Sequence, residues 1–153
     1  MKNHQVMILK QYLQKIIKYK KVKLIKVVAA IIFYNNKILV TQRKFSKNND
    51  LSLKYEFPGG KVKQDESNFS ALIREIYEEL ELIIEDIKYF DSYDFNYPKS
   101  RINLNFFLCN VKKFNLKLNI HQSYKLVDIK EIKKLDWLKA DYKVLDKLQK
   151  YYL

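Results

Sequence analysis

The stretch FPGGKVKQDESNFSALIREIYEELEL, Phe57 to Leu82, contains Gly59 and Gly60, the only two glycines in the chain. A chain of 153 residues ordinarily carries about eleven, and here Asn, Asp, Ser and Lys make most of the turns instead. Two glycines placed side by side therefore imply a local backbone demand. Glycine permits positive φ and lets a backbone amide or carbonyl approach a ligand with no Cβ in the way. A tight turn uses the first property, and a phosphate or metal site uses both.

Downstream of the glycines, a helix is expected to start after Glu66 with Ser67 as its N-cap, because a serine hydroxyl accepts from the free amides of a first turn. Phe69, Leu72, Ile73, Ile76, Tyr77 and Leu80 would form one apolar stripe on it. Arg74, Glu75, Glu78 and Glu79 project together, since residues three and four apart share a helix face. Three clustered carboxylates repel one another and call for positive charge. Arg74 supplies some of it, and a divalent cation would supply more. Mg²⁺ takes hard oxygens, with one or two carboxylates and substrate phosphates as its usual partners. Carbonyls freed by the glycine turn would add an oxygen. Taken alone, REIYEE reads more readily as a solvated helix face.

Outward from this stretch, IKVVAAIIFYNNKILVTQRK reads as a hairpin: a strand over Lys26 to Tyr34, an Asn35-Asn36 turn and a strand over Lys37 to Arg43. KYEFPGGKVK is a short extended segment. Further strands are expected over Ile87 to Tyr93, Ile102 to Val111 and Tyr124 to Asp128. A last helix over Asp141 to Leu153 carries Val144, Leu145, Leu148 and Tyr152 at helical spacing. Strands and helices do not alternate as βαβ units, so the fold class expected is α+β, a mixed sheet sandwiched between helices. In front, Val6 to Tyr19 places Met7, Leu9, Leu13, Ile16 and Ile17 at nearly helical spacing. Residues 1–23 are thus expected to form a basic extension with a helix, ahead of a single domain over 24–153.

Composition bounds the function. Hydrophobic residues make up 48% and charged residues 31%, a globular balance rather than a disordered one. No apolar run reaches the roughly 18 residues of a membrane span, and VMIL is too short for a signal-peptide core. The expectation is a soluble, cytoplasmic protein without a membrane partner, monomeric or homodimeric. Cys109 stands alone, which excludes an internal disulfide or a cysteine zinc site. The net charge of +13 is concentrated at the front: residues 1–49 hold twelve Lys and Arg and no acid. That basic front is the one place to expect nucleic-acid contact, although a solvated helix face explains it more simply.

GKVKQDESNFSALIREIYEELEL resembles the Nudix box: G, five residues, E, seven residues, R, E, an aliphatic, any residue, E, E, any residue, G, an aliphatic. Gly60, Glu66, Arg74, Glu75, Ile76, Glu78, Glu79 and Leu82 match at the right spacing. Glu81 stands where the pattern has its second glycine, which ordinarily closes the helix in a left-handed conformation. Either the helix runs on or the strain is tolerated. ILVTQR, YEFPGGK, YPKSRINLNFFL and LDWLKADYKVLDKL extend the likeness to the MutT-type branch over roughly residues 24 to 150.

The resemblance implies a hydrolase that splits nucleoside triphosphates into monophosphate and pyrophosphate with Mg²⁺, or Mn²⁺, as cofactor. It implies that Gly59, through its carbonyl, and Glu75, Glu78 and Glu79 bind metal. Glu78 would alternatively orient water, and Arg74 would hold the carboxylates. The substrate would meet Arg43 at its phosphates, Phe57 and Asp141 at its base, and Gly60 where the backbone comes close. Phe57 reads equally as a core residue. Two positions depart from relatives. Ile120 stands where they often carry a further metal-linked glutamate, with His121 beside it; His121 is a candidate ligand or base, but reads first as a surface histidine. Asp141 stands where an oxidised-guanine hydrolase has asparagine, and it doubles as a candidate N-cap. An ionised carboxylate only accepts hydrogen bonds, whereas an amide also donates. The leading expectation is 8-oxo-dGTP hydrolysis. Hydrolysis of CTP or modified pyrimidine nucleotides, and a noncatalytic nucleotide or RNA binder, are the alternatives.

Overall fold

The apolar run VVAAIIFY lies in the central strand of a computed structural model that describes residues 2–20, 23–98 and 100–153, with side chains described for 4–16, 23–98 and 100–153. The elements follow in the order α1 (Lys2–Lys20), β1 (Leu24–Tyr34), β2 (Lys37–Gln42), β3 (Tyr55–Glu56), β4 (Gly59–Lys61), α2 (Asn68–Leu80), β5 (Glu85–Tyr97), β6 (Ser100–Asn110), β7 (Ser123–Val127) and α3 (Tyr142–Tyr152). They build the mixed sheet expected for an α+β fold. Its strand order is β3-β2-β1-β6-β5, with β4 also on β1 and β7 on β2. The β1–β6 pair is parallel, and β1 runs antiparallel to β2 and β4.

Strand β1 is buried on both faces, and its alternation sorts the two cores. Val28, Ala30 and Ile32 pack with Leu72, Ile76 and Leu80 of α2. Ala29 and Ile31 share the other core with Val144, Leu145 and Leu148 of α3 and with Trp137. The sheet is therefore covered by α2 on one face and α3 on the other. The hairpin turn falls at Asn35 and Asn36, both with positive φ, as a two-residue turn between right-twisted strands requires. Cys109 is buried on β6 and free.

Helix α2 begins where expected. Ser67 caps it, its hydroxyl accepting from the Ser70 amide at 3.1 Å. Its end shows that the strain is tolerated: Glu81 sits in the left-handed region at φ 53 and sends its amide to the Tyr77 carbonyl. Such a residue costs about 1 kcal/mol relative to glycine. Neighbouring bonds offset the cost. Lys117 Nζ meets the Glu81 carboxylate at 2.8 Å, and the amides of Lys117 and Asn119 donate to the carbonyls of Leu80 and Glu79.

The stripe on α2 is narrower than its periodicity predicts. Leu72, Ile76 and Leu80 are buried, but Phe69, Ile73 and Tyr77 are exposed. Those three are spaced four apart along one flank, and a helix lying on a sheet hides only the arc facing it. Tyr152 likewise stays exposed on α3, although its ring meets Phe33. In α1, Met7, Leu9, Leu13 and Ile16 are exposed, and the Ile17 side chain lies outside the described residues. Among the described residues, no helix is long and apolar enough to cross a membrane.

Candidate active site

The two glycines differ in what they make room for. Gly59 has φ 153, and a Cβ there would lie 2.1 Å from the Val28 carbonyl oxygen of β1. At Gly60 a Cβ would lie 2.4 Å from the Glu75 carboxylate, so that side chain would have to leave its place. The Gly59 amide donates to Glu79 Oε2 at 3.2 Å. The turn and the carboxylate face of the helix are thus in direct contact.

Arg74 organises the rest of that face. Its Nε and Nη2 reach Glu66 at 2.8 and 2.9 Å, and its Nη1 reaches Glu75 at 2.7 Å and Glu78 at 3.1 Å. Nη2 also donates to the Lys61 carbonyl. The Arg74 contact and the Lys63 amide hold the Glu66 carboxyl down to about 2. Glu79 is in the opposite situation. Burial pushes its carboxyl up to about 8 despite the Gly59 amide, and the charges of Glu56 and Glu75 push it further.

These residues fit a divalent cation. Among the described residues, no three His, Cys, Asp or Glu side chains form a ready cation cage, while Arg74 ties up Glu75 and Glu78. The available donors are nonetheless all hard oxygens, the choice of Mg²⁺ and its neighbours. Glu75 is pressed into the space that a Cβ on Gly60 would fill, and Glu79 is a buried carboxyl whose ionised form needs positive charge beside it.

A cavity of about 720 Å³ opens on the other side of the glycine pair, lined by Arg43, Glu56, Phe57, Gly59, Gly60 and Asp141 among others. That volume suits a small ligand. Arg43, Phe57, Asp141 and both glycines are thus brought together. Arg74, Glu75, Glu78 and Glu79 do not line the cavity; they meet it through the glycines. Phe57 is both a wall of the cavity and a core residue, its ring 4.8 Å from that of Trp137.

Two expectations change here. Asp141 precedes α3 but makes no side-chain cap. It is buried instead, and burial raises its carboxyl well above the usual range, with the Glu56 charge adding to the effect and the Phe57 amide opposing it. His121 is not a surface residue. Its side chain is 3% exposed, and Nε2 lies 3.1 Å from Glu56 Oε1. The neighbouring Ile120 is exposed. The segment ending in His121 is pulled inward because its backbone caps α2 and the Gln122 amide bonds to the Gln42 carbonyl.

Sequence reasoning missed Glu56. Tyr55 and Phe57 are buried in the α3-side core, so period-two alternation turns Glu56 to the opposite face. There its carboxylate accepts from Arg43 Nη1 at 2.9 and 3.1 Å. A lone acid between two core aromatics, just before the glycine turn, was the available signal.

A model of the NUDIX domain matches residues 24–148. An 8-oxo-dGTP diphosphatase of Buchnera aphidicola subsp. Acyrthosiphon pisum is 33% identical over 114 residues, covering 74% of this chain and 88% of that protein. A CTP pyrophosphohydrolase of Escherichia coli is 52% identical, but over 58 residues, 38% of this chain and 42% of that protein. Among solved structures, a MutT protein of the Nudix hydrolase family from methicillin-resistant Staphylococcus aureus superposes with a TM-score of 0.65 at 38% identity. That alignment covers 85% of this chain and 98% of that one.

Proposed function

The chain belongs to the Nudix family and is a hydrolase of acid anhydrides, and on that premise we propose that it cleaves nucleoside triphosphates to monophosphate and pyrophosphate, with 8-oxo-dGTP as its principal substrate. The observation that carries this reading is the glycine pair itself. It lines the cavity on one side and backs onto Glu75 and Glu79 on the other. A triphosphate in the cavity therefore reaches the carboxylate face only across a backbone that has no Cβ.

Glu75, Glu79 and the Gly59 carbonyl would hold a divalent cation, Mg²⁺ before Mn²⁺. When bound, the cation supplies charge neutralisation at the phosphates and makes water more acidic. The chain's own groups do the rest by positioning, which is most of what phosphoryl chemistry requires. Arg43 grips phosphate, Arg74 holds Glu75 and Glu78 in register, and Glu78, half exposed, orients the attacking water and takes its proton.

Asp141 supports the choice of base. Burial favours its protonated form, and a carboxylic acid both donates and accepts, as an amide does. It can then serve an oxidised purine, which presents a donor at N7 beside the acceptor at O6. Asp141→Asn should accordingly keep activity on 8-oxo-dGTP within about tenfold, and Asp141→Ala should lose more, since leaving a buried base polar group unpaired is the costlier change. CTP is the second reading, favoured by the 52% identity of one segment to the CTP enzyme.

The test is pyrophosphate release across normal and oxidised nucleoside triphosphates, with Mg²⁺ and with chelator. Fastest turnover of 8-oxo-dGTP, abolished by chelator, is expected. Faster turnover of CTP would install the second reading. No turnover of any triphosphate, together with salt-dependent RNA binding, would replace both with a noncatalytic binder.

A further inference from the structure

We infer that Glu56 and His121 form a positioning pair that aims Arg43 at the substrate phosphates. This rests on the proposed role of Arg43 as the phosphate-gripping cation. Arg43 leaves the end of β2 half exposed, and only its Nη1 is engaged, by both oxygens of Glu56. Among the described residues, Nε and Nη2 of Arg43 have no hydrogen-bond partner. That leaves one edge of the guanidinium fork open, the geometry that matches a phosphate bidentately. An arginine held at Nη1 by one carboxylate and free along its Nε–Nη2 edge keeps that edge for phosphate.

Glu56 needs holding in turn. Its side chain is 16% exposed, on a strand only two residues long. His121 supplies the second contact at 3.1 Å. A carboxylate accepts only, so Nε2 carries the proton that reaches it. Among the described residues Nδ1 of His121 is buried without a partner, and the Glu56 contact is the polar contact that orients the ring.

The position of His121 is itself set by α2. The Asn119 amide donates to the Glu79 carbonyl, its side-chain Nδ2 donates to the Glu78 carbonyl, and the Gln122 amide ties the segment to β2. His121 therefore links the end of the helix that bears Glu78 and Glu79 to the base of Arg43. The link acts as a strut that sets the spacing between the cationic grip and the carboxylate face.

The test uses the full chain and three variants, His121→Phe, His121→Gln and Glu56→Gln. Gln retains an N–H near the place of Nε2, and it keeps the test informative should the Phe variant fold poorly. Nitrogen-15 NMR of the Arg43 side chain reads positioning without substrate, through the rate of guanidinium rotation. That rotation should be slow in the wild type and in His121→Gln, and faster in His121→Phe and Glu56→Gln. With substrate, His121→Phe should raise KM for the triphosphate and weaken binding of inorganic pyrophosphate by about tenfold, with kcat changed less, as loss of uniform phosphate binding predicts. The effect should vanish in an Arg43→Lys background. Unchanged Arg43 rotation in both His121→Phe and Glu56→Gln overturns the inference, as does a loss that adds fully to that of Arg43→Lys. Freed rotation in a protein whose wild type turns over no triphosphate keeps the pair and overturns the substrate reading instead.

Discussion

Helices α1 and α2 are both amphipathic in sequence, yet among the described residues only α2 buries its apolar side chains. In α2, Leu72, Ile76 and Leu80 are fully buried, a serine caps the first turn and a docked loop caps the last. In α1, Val6, Met7, Ile8, Leu9, Tyr12, Leu13 and Ile16 are all exposed. Its stretch also carries lysines and no acid, so ion pairs between acids and lysines cannot support it. Helical spacing states which face would be buried if a surface were offered. The sheet offers α2 that surface through Val28, Ala30 and Ile32. A helix without one draws little stability from propensity alone.

The sharpest way to break this contrast is chemical. Glu79→Gln, on the buried side of α2, should lower kcat for pyrophosphate release on the order of 10³-fold, as loss of an electrostatic group at the reacting centre does. A variant retaining near wild-type turnover would separate α2 from catalysis. Next comes packing. Leu72→Ala should destabilise the fold by about 2–5 kcal/mol in a urea titration, and a much smaller change would mean that α2 docks loosely.

A pH titration of the metal-free protein probes the same helix. The Glu79 carboxyl is raised from about 4.5 unfolded to about 8 folded. Its contribution to stability is therefore fully present below about 4.5 and is lost as pH rises through about 8, on the order of a few kcal/mol. Thermal midpoints should fall across that window, and both Mg²⁺ and Glu79→Gln should flatten the slope. A flat profile in the wild type would show that Glu79 ionises without penalty. The smallest effect belongs to α1, where Leu13→Ala should change stability by less than about 0.5 kcal/mol. A loss comparable to that of Leu72→Ala would mean that α1 packs against a surface after all.

Most of the local chemistry was legible in the sequence. Ser67 announced a cap, Asn35-Asn36 a turn, and the pattern from Gly60 to Leu82 a helix with its acids on one face. Each of these is decided by residues within a few positions of one another, which is the range over which backbone geometry and periodicity act. The left-handed position of Glu81 was legible as a question, since a residue in place of glycine either moves the helix end or strains it. The helix end is strained, and it is closed by amides from distant chain, those of Lys117 and Asn119 on the carbonyls of Leu80 and Glu79.

What the sequence alone determined is the kind of elements, their order, and the glycine turn followed by a carboxylate-bearing helix, because these depend on short-range steric and hydrogen-bonding rules. What only the tertiary structure decided is where polar side chains end up. Asp141 reads as a cap and is buried with a raised pKa; His121 reads as a surface residue and is enclosed against Glu56; Phe69, Ile73 and Tyr77 read as core and face outward. Each of these outcomes depends on a neighbour brought by distant chain. Burial, and with it the protonation and orientation of a polar group, is set by the sum of surrounding atoms rather than by the residue's own place in the sequence.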